Sequence, residues 1–252
     1  APNYKGGWHS DRLTNNFREL DMQLHDAVVL ITGANRGIGL EFARAALARG
    51  ARKVYATARD PESIPLEGVI KLKLDVTCAE DVARIAQQCP DVTLLINNAG
   101  VARFGSFLAN NSEASCIEHF ETNFYGPLRL CKAFAPILAG HGGGAIINVL
   151  SLVSWYAPVE FSPYSASKSA AWALTNSLRL ELRRQNTQVV ALHMGYVDTD
   201  MTAKIDAPKT PASLIVVRTM DALEAGEEEV LADEMTLTLK RNMNAPRPVY
   251  LD

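Results

Sequence analysis

The chain has 252 residues, a net charge of −3, and 48% hydrophobic against 21% charged residues. That length and apolar content suit one large domain, and the near-balanced charge gives no global pull toward nucleic acid or an anionic membrane. No run reaches the roughly 18 apolar residues of a membrane helix, and no secretory signal opens the sequence, so a soluble cytoplasmic protein is expected.

Residues 1–26 are polar around Gly6, Gly7 and Trp8 and read as a partly ordered surface arm, with Trp8 and Phe17 available to pack on a neighbour. An apolar run at 27–31 then ends in a turn holding Gly33, Gly37 and Gly39. A helix follows with Ile38, Phe42, Ala45, Ala46 and Leu47 on one face. Strand, glycine turn and helix N-terminus together offer outward N–H groups, a favourable dipole and close backbone approach, which suits a phosphate. Such a strand is expected at the middle of a sheet, with later motifs near its carboxyl end.

Residues 52–57 read as the second strand and 70–74 as the third. The connection at 60–68, with Pro61 and Pro65, is too short for a helical crossover, so a vestigial turn is expected there. A helix at 81–88, a strand at 93–96 and a long helix at 112–138, interrupted near Gly126 and Pro127, come next. A strand at 145–150, a helix at 163–185, a strand at 189–193, a helix at 211–225 and a short strand at 229–232 follow. The tail 233–252 starts helical and ends in Pro246 and Pro248. This alternation predicts an α/β fold: a Rossmann-like, doubly wound, parallel seven-stranded sheet with helices on both faces. One domain, 27–232, would lie between the arm 1–26 and a tail packed on or near it. Cys78, Cys89, Cys116 and Cys131 have no metal-ligand spacing and read as reduced core thiols, so no metal is expected.

Tyr164 and Lys168 start the helix at 163–185 four residues apart, hence on one face. An ammonium near a phenol favours phenolate and brings its pKa of about 10 toward neutrality, as acid/base work requires. Ser151 ends the fifth strand thirteen residues before Tyr164, at the edge where a parallel sheet places its ligands. Thr32, Gly33, Gly37, Ile38 and Gly39, then Asn97, Asn98, Ala99 and Gly100, with Asn123, Ser151, Tyr164 and Lys168, together resemble the short-chain dehydrogenases/reductases. The likeness runs from about residue 27 to 232.

The resemblance implies that Tyr164 is the general acid in reduction and the base in oxidation. Lys168 would lower its pKa and hold the nicotinamide ribose, Ser151 would bond the substrate oxygen, and Asn123 would hold a water linking Lys168 to solvent. It also places Asn35, Arg36, Asp75, Val76, Asn98, Ala99 and Gly100 against the cofactor, with Asn97 mainly steadying the sheet. After the sixth strand the family has Pro-Gly; here Met194 stands before Gly195, while Val197 and Thr199 remain as expected carboxamide contacts. His193 reads as a packed strand residue. The second strand ends Ala58-Arg59-Asp60, so Arg59 stands where a carboxylate would select against a 2′-phosphate, and Asp60 reads as a turn cap. With Arg36 in the glycine turn, two arginines favour NADP(H).

Val153, Tyr156, Phe161, Tyr196 and Met201, with Phe104 and Trp155 nearby, suggest a moderately hydrophobic carbonyl substrate under a short lid between Thr199 and Pro211. The expected activity is NADPH-dependent reduction of a ketone or aldehyde to an alcohol. An NADP-linked alcohol dehydrogenase or a pathway-specific ketoreductase is the alternative, and a silent cofactor-sensing regulator the rival outside enzymology. The helices at 112–138 and 163–185 carry apolar residues around their circumference, and a homodimer is expected, with a tetramer as the larger form.

Overall fold

The computed structural model describes residues 22–251; the expectations for Trp8 and Phe17 lie outside them. The run after the arm forms β1 (Val28–Thr32), whose five residues are all buried. Val29 and Ile31 join a core cluster with Phe42, Ala43 and Ala46 of α1 (Gly37–Ala48). Val28 and Leu30 join another cluster on the opposite face. A strand covered on both faces needs unbroken apolar residues, which is why this one shows no alternation.

The remaining sheet strands are β2 (Lys53–Ala58), β3 (Ile70–Lys73), β4 (Leu94–Asn97), β5 (Gly144–Val149), β6 (Thr187–His193) and β7 (Glu229–Leu231). They lie in the order β3-β2-β1-β4-β5-β6-β7, and every neighbouring pair is parallel. This is the doubly wound α/β sheet expected. The chain reverses direction of growth between β1 and β4, and a crevice opens at their carboxyl ends. α1 and α6 (Ala212–Glu224) cover one face, contributing Phe42, Ile215, Met220 and Leu223. α2 (Ala79–Gln88), α4 (Gly126–Gly140) and α5 (Ser162–Leu182) cover the other with Ile85, Phe134, Leu138 and Leu182.

The short link between β2 and β3 holds only a helical turn at Pro61–Ser63, and Asp60 caps it by accepting from the Glu62 N–H at 3.1 Å. The long helix beginning at Ser112 divides where the sequence suggested a break. α3 (Ser112–Phe120) passes through a π-helical turn, Glu121–Tyr125, into α4. Such wide turns commonly accompany functional sites, and this one carries Asn123. One sequence boundary moves. Leu24, read as arm, is fully buried and its N–H donates to Glu224 at 3.0 Å, so residues 22–26 are seated on the domain. The tail forms α7 (Glu234–Asn242), which is capped by Asp233.

A polar rung crosses the sheet beside the site. Asn97 Nδ2 donates to Asn148 Oδ1 at 2.8 Å, and Asn148 Nδ2 donates to Thr175 Oγ1 of α5 at 3.0 Å. Both asparagines are buried and sit opposite each other in register on β4 and β5. Their bonds tie α5 to the strand that leads to Ser151, and Asn97 steadies the sheet.

Candidate active site

One cleft of about 780 Å³ opens along the carboxyl edge of the sheet. Its walls bring together Gly33, Asn35, Arg36, Gly37, Ile38, Arg59, Asp75, Val76, Asn98, Ala99, Gly100, Ser151, Tyr164, Lys168, Gly195, Val197 and Thr199. Of the cofactor and catalytic residues expected from sequence, Gly39 and Asn123 alone stand behind the wall, and each has a physical reason.

At Gly39 a Cβ would overlap the Gly33 carbonyl oxygen and Asn98 Nδ2. The glycine lets the helix N-terminus seat against its own turn, where Gly33 adopts φ +65°. Asn98 holds the other side: its Nδ2 donates to the carbonyls of Thr32 at 2.9 Å and Gly33 at 3.1 Å. Thr32 Oγ1 in turn accepts from the N–H groups of Asn98 at 3.0 Å and Ala99 at 2.9 Å. The ends of β1 and β4 are thereby stitched into one rigid floor. Gly39→Ala is expected to cost about 1–3 kcal/mol by overpacking this seam. Chemical denaturation measures it, and an unchanged midpoint would contradict the packing argument.

Asn123 clasps the loop after β4. Its Oδ1 accepts from the Val101 N–H and its Nδ2 donates to the Val101 carbonyl, both at 2.9 Å, with a further bond to Ser167 Oγ at 3.0 Å. Its side-chain amide is thus committed to positioning the Val101 backbone and Ser167.

At the far end of the cleft Arg59 is exposed and has no partner among the described residues. Arg36 lies across the mouth from Asp200, at 3.6 Å with both side chains largely exposed, so its ion pair is weak and exchangeable. Asp75 closes a local turn on Thr77, accepting from its N–H at 2.9 Å and hydroxyl at 2.7 Å. A close-approach glycine turn, a helix N-terminus and an uncommitted guanidinium fit a dinucleotide carrying an extra phosphate.

Lys168, only 6% exposed, donates from Nζ to the Val149 carbonyl at 2.8 Å, and Nζ sits 5.8 Å from the Tyr164 ring centroid. Burial pushes Tyr164 up to about 12, a hydrogen bond with Ser151 working the other way, and pushes Lys168 down to about 8. The sequence suggested a phenol drawn toward neutrality by the lysine. In the protein alone, burial sets the direction for both groups, opposed at Tyr164 by the Ser151 hydrogen bond. The phenol is therefore protonated at neutral pH, the form a proton donor needs.

The loop after β5 and the tail complete the site. Ser151 is buried and its Oγ faces the Met194 carbonyl at 3.5 Å. The Met194 carbonyl also accepts from Leu152 N–H at 2.9 Å, and the Gly195 N–H donates to Asp233 Oδ2 at 2.6 Å. The turn that lacks the family's proline is thus fixed by the tail's own helix cap. His193 is fully buried, bonds the Ser151 carbonyl through Nδ1 at 3.1 Å and stacks on Trp155 at 3.8 Å. Burial holds it neutral, well below its usual pKa, at about 3. This stacking accounts for Trp155, which the sequence grouped with the substrate residues and which does not line the cleft. Val153, Tyr156, Phe161, Tyr196, Met201 and Phe104 do line it, joined by Met235 and Leu239 of α7. The last two were missed because no motif marks a tail residue that reaches the site by tertiary folding.

The family model described as short chain dehydrogenase matches residues 27–210. The chain is 36% identical over 193 residues to the uncharacterized oxidoreductase YxnA of Bacillus subtilis, covering 70% of this chain and 54% of that one, so it spans about half of that relative's length. It is 31% identical over 223 residues to carbonyl reductase family member 4 of Danio rerio, covering 84% of this chain and 91% of the relative. A crystal structure of a short chain dehydrogenase from Burkholderia cenocepacia in complex with NADP superposes with a TM-score of 0.86. It is 39% identical, and the match covers 90% of this chain and 96% of that one.

Proposed function

Because the chain belongs to the short-chain dehydrogenase family, we propose that it uses NADPH to reduce a ketone or aldehyde to an alcohol, with Tyr164 as proton donor. The observation that carries this reading is the meeting of Ser151, Tyr164 and Lys168 on one wall of the cleft that also holds the glycine turn, Arg36 and Arg59. The cofactor, when bound, supplies the hydride.

Everything else falls to the chain. Ser151 and Tyr164 present two hydroxyls to the carbonyl oxygen and stabilise the charge that grows there. The Tyr164 phenol passes its proton to that oxygen, and the Lys168 ammonium stabilises the phenolate left behind. Asn123 and Asn98 hold the loops that carry Gly100 and Gly33. Arg59 and Arg36 bind the 2′-phosphate, Arg36 exchanging Asp200 for it. The apolar wall of Val153, Tyr156, Phe161 and Met201 receives the rest of the substrate and excludes water.

An NADP-linked alcohol dehydrogenase would run the same residues in reverse. A cofactor-sensing regulator is disfavoured because Asn123, Ser151, Tyr164 and Lys168 are all present. The working form is a homodimer, supported by the apolar residues Leu180 on α5 and Tyr125 before α4 that stay exposed in the single chain. Sedimentation at micromolar concentration should give twice the chain mass, and a monomer there would contradict the pairing. The proposed activity is tested by following NADPH oxidation against a panel of carbonyl compounds. Consumption with any of them supports an enzyme, and tight NADPH binding without consumption supports the regulator.

A further inference from the structure

The substrate end of the cleft differs from the cofactor end in charge. Among the described residues lining the cleft, the cations are Arg36 and Arg59 at the phosphate end and Lys168 at the floor. At the substrate end Glu118 is the ionisable wall residue, and Arg103 holds both its oxygens, Nε at 2.9 and 2.7 Å and Nη2 at 2.7 Å. A phosphate or carboxylate on the substrate would find no free cation among the lining residues there.

The apolar wall also continues beyond the cleft. From the reacting phenol an aromatic series steps outward, with Tyr164 to Phe161 at 6.4 Å and Phe161 to Phe104 at 4.8 Å between ring centroids. Phe104 lines the cleft, yet it is 62% exposed. On the same segment Phe107 and Leu108 are exposed, Leu108 at 97%, as are Val159 before α5 and Met201 of the cleft wall. The shelf is not a loose loop. Gly105 N–H donates to the Glu160 carbonyl at 2.8 Å and Ser162 N–H to the Gly105 carbonyl at 3.1 Å, a bridge that locks Gly105 to the start of α5. His119, fully buried, accepts from Arg103 N–H at 3.1 Å and pins the same segment from behind. Exposed apolar side chains gathered at one rigid cleft mouth mark a binding surface.

From this continuity we infer that the substrate is an uncharged carbonyl compound with an extended apolar chain, whose carbonyl sits at Tyr164 and whose chain runs over Phe161 and Phe104 onto the shelf at Phe107 and Leu108. The inference rests on the carbonyl-reductase reading and narrows it. Phosphorylated and carboxylated carbonyl compounds are poor substrates on this account.

The test is kcat/KM with NADPH for methyl ketones of increasing length, butanone, octanone and decanone, on wild type and Leu108→Ser. Each added methylene should raise wild-type kcat/KM by about twofold through partial burial, mostly through KM. Leu108→Ser should leave butanone unchanged and lower decanone by about fivefold. Values flat beyond butanone, or an equal loss on every ketone, would overturn the shelf while leaving carbonyl reduction standing. Should no ketone turn over, calorimetric Kd values for the same series on both proteins carry the same comparison. Chain-length-dependent binding that Leu108→Ser abolishes would uphold the shelf, and its absence would overturn it.

Discussion

Tyr164→Phe is expected to lower turnover by at least about a hundredfold while cofactor affinity changes little. The substitution removes one hydroxyl and keeps the ring that packs near Phe161 and His119, so the loss reports proton transfer and not collapse of the pocket. The pH dependence sharpens the expectation. With Tyr164 held up at about 12 and Lys168 brought down to about 8, the phenol stays protonated through neutral pH. Reduction should therefore run evenly below about pH 8 and decline as pH rises and Lys168 loses the charge that stabilises the phenolate. Oxidation needs the phenolate at the outset and should speed up as pH rises. Steady-state profiles in the two directions check this, and parallel slopes would contradict Tyr164 as the shared acid and base.

NADPH should exceed NADH by at least about tenfold in kcat/KM if the two guanidiniums lining the cleft, Arg36 and Arg59, receive the 2′-phosphate as proposed. Arg59→Ala should weaken NADPH and leave NADH nearly untouched, since Arg59 has no partner to lose among the described residues. Arg59→Asp should reverse the preference, adding repulsion to lost attraction. Both arginines are exposed, so the NADPH advantage should shrink as salt rises. Equal loss with both cofactors in Arg59→Ala would reduce Arg59 to a support of the fold. Wild-type preference for NADH would overturn the assignment.

The sheet was legible because burial on both faces leaves an unambiguous mark, and Val28 to Thr32 could hardly be anything but a central strand. The meeting of the proposed catalytic side chains in one cleft was legible because helix periodicity fixes Tyr164 against Lys168, and strand direction fixes Ser151 at the same edge. Contacts made by distant segments were not. Met235 and Leu239 reach the cleft, and Asp233 the Gly195 turn, through the packing of α7, which sequence spacing does not encode. Trp155 looks like a pocket residue until His193 is seen beneath it. Asn123 was found by its motif, but its clasp on Val101 depends on a π-helical turn that no local pattern announces. The balance between charge and burial at Tyr164 and Lys168 likewise needs the whole cover of the site in place.

The central claim is that this chain passes hydride-derived reducing power to a carbonyl group while Tyr164 gives the proton. It is tested most directly by measuring NADPH consumed and alcohol formed together, with octanone at neutral pH, for wild type and Tyr164→Phe. The account predicts equal amounts of NADPH lost and alcohol gained by the wild type, and at most about a hundredth of that rate in the mutant. Turnover that survives in Tyr164→Phe, or NADPH bound by the wild type with no alcohol formed from any carbonyl, would contradict it.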